Sequence, residues 1–237
     1  MDEFESTHWS MVIAAGQRVS PEAEQALSEL CRKYWLPLYG FVRRRVSDVH
    51  EAQDLTQEFF CRVLEKNFFA LADPTRGRFR AFLLTSLKHF LANEWGKARA
   101  NKRSGGQSLL SFDFANGESQ LSHAAVSDET PERQFDRQWA LTMLDEVLVR
   151  LRSEFRDAGK EAQFEQLKLF LGGSRDTAEN YSDVAESLGM TAAALKVAAH
   201  RLRQRYRELL RAEIAQTVSQ PDEVDDEIRE LFHVLGS

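Results

Sequence analysis

The chain has 237 residues, 43% of them hydrophobic and 29% charged, enough for one large domain or two small ones, each with its own core. A formal net charge of −6 argues against a protein that coats nucleic acid indiscriminately, yet the charge is unevenly placed. Basic runs at 43–45, 76–103 and 196–211 are separated by acids gathered at 113–136 and again after Glu213, a distribution that fits localised nucleic-acid contacts with negative surface elsewhere.

Few prolines, little alternation and repeated 3.6-residue periodicity predict an all-α chain. After a short start containing His8 and Trp9, Ser20 and Pro21 signal a helix beginning, with Ala26, Leu27, Leu30, Cys31 and Tyr34 inward. Pro37 is expected to interrupt or kink that helix before the basic run. A third helical segment runs from about His50 to Phe69. It places Leu55, Phe59, Val63 and Leu64 inside and shows Asp54, Gln57, Glu58 and Glu65 on its other face. A turn at 73–77 leads into the stretch 77–103, whose Phe79, Leu83, Leu87, Phe90 and Leu91 share one face. Thr85, Lys88, His89, Ala92 and Arg99 lie roughly opposite. Counted from Arg76, this stretch holds eight Lys or Arg against one acid, Glu94, with Phe79, Phe82, Phe90 and Trp95 interleaved. Cations bind phosphates and aromatic faces accept unstacked bases, so the mixture suits single-stranded or melting nucleic acid. A solvated basic face on a core helix is the plainer reading.

From 104 to 130 the periodicity dissolves into Gly, Ser, Asn and scattered acids, which reads as an exposed linker and a domain boundary. Thr130 and Pro131 begin a new helix with Trp139, Leu141, Leu144, Val147, Leu148 and Leu151 as its core stripe, and a further segment runs from Phe164 to Phe170. The stretch 181–210 is decisive. Ala185, Gly189 and Leu195 occupy positions five, nine and fifteen counted from Tyr181, where a helix-turn-helix needs a small packing residue, a turn glycine and a buried apolar residue. Val184, Leu188 and Met190 flank them. Leu195, Ala199, Leu202, Tyr206 and Leu209 would be buried, leaving Lys196, His200, Arg203, Arg207 and Arg211 as a basic stripe suited to duplex DNA.

The run Asp54-Leu55-Thr56-Gln57-Glu58-Phe59-Phe60, the Phe79–Leu83 segment with its Lys-rich continuation, and the 181–210 pair together resemble a bacterial RNA polymerase sigma factor of the extracytoplasmic-function (ECF) group of the sigma-70 family. The resemblance covers about half the chain in the expected order. It implies two small helical domains joined by a flexible linker, the second containing the helix-turn-helix. Residues 1–103 would form a region 2-like domain, 104–130 the linker, 131–212 a region 4-like domain and 213–237 an acidic C-terminal tail. It further implies core RNA polymerase and promoter DNA as partners and leaves room for an anti-sigma factor or other regulator. Asp54, Gln57 and Glu58 would face the polymerase. Lys88, His89, Asn93 and Lys97 would lie near the unpaired strand of the minus-ten element. Lys196, His200 and Arg201, with Arg203 of the same stripe, would approach the minus-thirty-five duplex. The chain departs from the family where His89 stands in place of a common Asn, and where Val197 and Ala198 replace polar or basic residues of the recognition helix.

No catalytic constellation, metal-ligand spacing or phosphate-cradling glycine loop is found, so neither an enzyme nor a cofactor is expected. Cys31 and Cys61 read as buried thiols in a reducing compartment. Without a charged-then-apolar leader or an apolar run of membrane-spanning length, the expectation is a cytoplasmic protein with no membrane contact. The rival function is a helix-turn-helix transcriptional regulator acting outside the polymerase holoenzyme. In the tail, Ile228, Leu231, Phe232 and Leu235 predict an amphipathic helix, expected either to dock over the 196–211 stripe or to complete the second domain's core.

Overall fold

A computed structural model of the chain describes residues 21–64, 78–98, 112–124, 129–172, 178–218 and 220–236. Every regular element among them is helical: α1 (Pro21–Arg43), α2 (Val49–Val63), α3 (Phe79–Ala98), α4 (Phe114–Ala124), α5 (Pro131–Asp157), α6 (Glu161–Leu167) with a 3-10 turn (Lys168–Phe170), α7 (Ala178–Ser187), α8 (Ala192–Ala215) and α9 (Glu223–Gly236). The chain divides into two compact units, Met1–Thr142 with Ile214–Ser237, and Met143–Glu213. The divisions fall inside α5 and α8 rather than at the composition break before Thr130.

In the first unit α1 is continuous through Pro37, which neither ends it nor leaves its far half exposed: Leu38, Tyr39, Phe41 and Val42 beyond the proline are all buried. A proline inside a helix removes one backbone hydrogen bond, and here the apolar residues after it are packed tightly enough to hold the helix together. Asp48 caps α2, its carboxylate accepting from Glu51 N at 2.7 Å, which supplies one of the otherwise unmatched first-turn donors. The buried side of α2 is Ala52, Thr56, Phe59, Phe60 and Val63; Leu55 and Leu64, expected inside, are only half-buried. Thr56 is accommodated because its hydroxyl donates to Ala52 O at 2.7 Å. On α3 all five expected core residues are buried, and Thr85, Lys88, His89 and Ala92 are exposed as expected. Phe79 meets Tyr34 of α1 edge-on at 5.1 Å between ring centroids, and Phe90 meets Phe59 of α2 at 5.7 Å.

Two segments of this unit depart from the sequence reading. Part of the expected exposed linker is α4, packed on α1 and α2. Phe112 stacks on Trp35 at 5.4 Å and lies 5.0 Å from Phe60, while Phe114 meets Tyr39 at 4.9 Å. Glu118 accepts from Arg43 Nε at 2.7 Å and from the Tyr39 hydroxyl at 2.6 Å. A Cβ at Gly117 would stand 3.0 Å from the Trp35 ring, so the glycine lets the helix approach the indole. The tail also forms its helix, α9, which groups with this first unit. Its buried face is Val224, Glu227, Leu231 and Val234, with Ile228 and Leu235 half-buried and Phe232 outward.

The rotation of α9 has an electrostatic cause. Glu227, 1% exposed, accepts from Arg80 Nε at 2.7 Å and pairs with Arg78, while Arg80 also pairs with Asp136 of α5. The Arg80 guanidinium lies 4.5 Å over the ring of Trp139, itself fully buried. Arg80 and Arg78 therefore serve the core rather than the basic surface to which composition assigned them.

The second unit is built from the remainder of α5, α6, the 3-10 turn, α7 and most of α8. Thr130 caps α5, accepting from Arg133 N at 3.3 Å, with Pro131 at the first helical position as expected. The buried stripe of α5 steps by four through Phe135, Trp139, Met143, Val147 and Leu151. Leu141 is exposed and Leu144 and Leu148 are half-buried, so the expected stripe was rotated by part of a turn. Gly159, with φ +68°, ends α5 in a Schellman arrangement: Lys160 N donates to Phe155 O at 2.8 Å and Gly159 N to Arg156 O at 2.9 Å.

Candidate nucleic-acid interface

In the second unit the turn between α7 and α8 is fixed by backbone chemistry. Gly189 adopts φ +62°, a left-handed conformation that costs other residues free energy. Met190 N donates to Ala185 O at 2.9 Å and Gly189 N to Glu186 O at 3.1 Å, closing α7 with a second Schellman motif. One residue later Thr191 caps α8, its hydroxyl accepting from Ala194 N at 3.2 Å. Ala185 and Leu195 are buried, and Val184, Leu188 and Met190 are half-buried around the turn. The turn glycine lies where the spacing placed it, while the Thr191 cap is an addition the sequence reading did not make.

On α8, Leu195, Ala199, Leu202 and Leu209 face inward, and Tyr206, half-buried, donates its hydroxyl to Leu144 O at 3.2 Å. Lys196, His200 and Arg201 are exposed along the first turns. The Lys196 ammonium sits 5.5 Å from the ring of Tyr181, which in turn stacks on Phe170 at 4.5 Å. Arg203 has a different task. Its Nε and Nη2 both donate to Phe170 O, at 2.8 and 2.7 Å, so this guanidinium closes the last carbonyl of the 3-10 turn. Arg205 is engaged too, by a two-pronged pair with Glu154 and a contact to Glu208 that raise its pKa.

In the first unit α2 and α3 carry the remaining predicted residues. Asp54 is exposed and Gln57 and Glu58 are half-exposed, all on the outward side of α2. Glu58 pairs with Arg62 at 2.7 Å, and the same guanidinium reaches Glu94 of α3 at 2.8 Å while lying 4.6 Å over Phe90. Arg62 thus braces the carboxylate-bearing helix against the cationic one. Sequence reading missed it because its two acidic partners lie on different helices.

His89 and Asn93 are exposed on α3, and Trp95 keeps 40% of its surface in solvent near the helix end. Lys88 shares their face, and its ammonium is 2.9 Å from Glu132, a carboxylate that also meets Arg45 at 3.0 Å. The hydrogen bond from Lys88 comes first among the causes that hold the Glu132 carboxyl down at about 2, with Arg45 assisting against burial. Both groups remain partly solvated, and such surface pairs contribute little to stability. The side chain of Lys97, and all of Arg99 and Glu65, lie outside the described residues. Among the described residues no cluster of His, Cys, Asp or Glu is placed to hold a metal, and no helix is long and apolar enough to cross a membrane.

The described residues thus make an all-α protein, with an outward carboxylate helix beside a cationic, aromatic one in the first unit and a glycine-turned helix pair in the second. Residues 30–101, which run from within α1 past the end of α3, match the family model described as Sigma-70 region 2. The match covers 72 of the 237 residues and makes that segment similar to region 2 of sigma-70 factors. Neither a curated protein nor a solved structure gives a significant match to the chain.

Proposed function

We propose that this protein is an ECF-group sigma factor that binds core RNA polymerase and directs promoter-specific initiation. The observation that carries the reading is order: a Sigma-70 region 2 match is followed downstream by a helix pair turned at Gly189 and capped at Thr191. In this reading Asp54, Gln57 and Glu58 dock the first unit on the polymerase. Lys88, His89, Asn93 and Lys97 attend the melted minus-ten strand, where unstacked bases and phosphates meet an aromatic and cationic surface. Lys196, His200 and Arg201 approach the minus-thirty-five duplex, and Arg203 acts indirectly by holding α8 to the 3-10 turn.

Co-purification of the full chain with core polymerase tests the reading. Stable association, weakened by charge reversal at Asp54, is the expected result. A chain that binds promoter duplex but never core polymerase would instead be a regulator acting outside the holoenzyme.

A further inference from the structure

The outer face of α8 is not uniformly basic. Over its first turns Ala193, Ala194 and Val197 are exposed, and Val197 leaves 51% of its surface in water. Residues three and four apart on a helix are neighbours. Val197 therefore has Ala193 and Ala194 on one side and His200 and Arg201 on the other, all four exposed. This is a small apolar step made of methyl groups, edged by cations and hydrogen-bond donors. Polyanionic duplex DNA complements those charges, and within its major groove thymine alone presents a methyl group, at C5. Cytosine offers an amino donor and the purines offer acceptors, which valine cannot match. The exposed cations Lys196 and Arg201 beside it are free to take phosphates by charge, so Val197 is placed to read rather than to anchor.

Resting on the promoter-reading role proposed for this unit, we propose that Val197 is a specificity residue that packs on the C5 methyl of a thymine in the upstream element. The consequence is a required thymine whose methyl, not its pairing, is sensed. A selection of duplexes bound by the full chain with core polymerase supplies the test sequence. Each thymine of that sequence is then replaced by deoxyuridine, which keeps the pairing and removes only the methyl.

At one position the replacement should weaken binding about fourfold, the value of one methyl taken out of water. The Val197→Ala protein should bind the thymine duplex more weakly and lose most of the thymine-to-deoxyuridine ratio, falling below about twofold. Because Val197 is largely exposed, its replacement should leave the circular dichroism spectrum unchanged. Lys196→Ala should weaken every duplex alike and keep the fourfold ratio, since phosphate contacts carry no sequence information. Deoxyuridine tolerated at every thymine of a well-bound duplex would overturn the methyl readout and leave the promoter-reading role standing. A selection that enriches no upstream sequence would overturn that role and the inference with it.

Discussion

Replacing Glu227 by Gln removes one negative charge from the first unit with little change of shape. In the folded chain that carboxylate, 1% exposed, receives Arg80 Nε at 2.7 Å and Nη2 at 3.2 Å and also pairs with Arg78. Removing one partner of a buried ion pair costs about 3–5 kcal/mol, because the remaining charge stays desolvated. Arg80 would keep Asp136 and the face of Trp139, and Arg78 is exposed enough to be hydrated. The cost should therefore sit at the lower end, about 3 kcal/mol. Urea unfolding followed by near-ultraviolet circular dichroism should show the first unit's transition moving to lower denaturant. A paired Arg80→Met, Glu227→Leu protein should lose at least about 1 kcal/mol less than the two single replacements added together, since no buried charge is orphaned. A Glu227→Gln cost below about 1 kcal/mol, the range of an exposed pair, would refute the argument that this cluster is desolvated and fastens α9.

Gly189→Ala meets no neighbour within 4 Å, so only the left-handed backbone at φ +62° is strained, and the cost to the second unit should be about 1 kcal/mol by thermal or urea unfolding. Charge reversal at Asp54, which is exposed, should weaken polymerase binding in a pull-down while leaving the helical circular dichroism signal intact; unchanged affinity would show that this face is merely solvated. Glu132 is held at about 2, chiefly by Lys88, and Glu118 is held below its usual 4.5 because hydrogen bonds from Arg43 and Tyr39 outweigh burial. A depressed carboxylate contributes stability above its unfolded value and loses it as pH falls through the folded one. The first unit should thus weaken between about pH 4.5 and 2, partly offset by Asp136, whose pKa burial raises. Glu132→Gln, which removes a largely solvated pair, should flatten that dependence only slightly in urea midpoints compared at pH 7 and 3.

The local chemistry of the fold was legible in the sequence. The inward face of α3, the Thr130 and Pro131 start of α5 and the glycine of the α7–α8 turn depend on spacing and on single-residue conformational preference, which a sequence carries directly. What it hid were long-range partnerships. Arg80 counts as one more cation in a basic run until Glu227, 147 positions away, is seen to accept its hydrogen bonds. The polar composition around Gly117 reads as linker, although Phe112 and Phe114 anchor α4 on Trp35 and Tyr39. Glu227 likewise displaced the expected apolar face of α9, because a charge matched by two arginines can be buried where a hydrophobic rule would turn it outward. Asp54, His89, Lys196 and His200 are exposed, as periodicity placed them, and so are Asn93 and Arg201, whereas the carbonyl that occupies Arg203 could not be foreseen from helical periodicity.

The measurement that bears most directly on the central claim is run-off transcription from a library of genomic fragments, using core polymerase supplemented with the purified full chain. Discrete transcripts that require the protein, arise from fragments sharing paired upstream and minus-ten sequences, and diminish with Asp54→Lys are the predicted result. Polymerase that starts no more specifically with the protein than without it, on any fragment, would contradict the account.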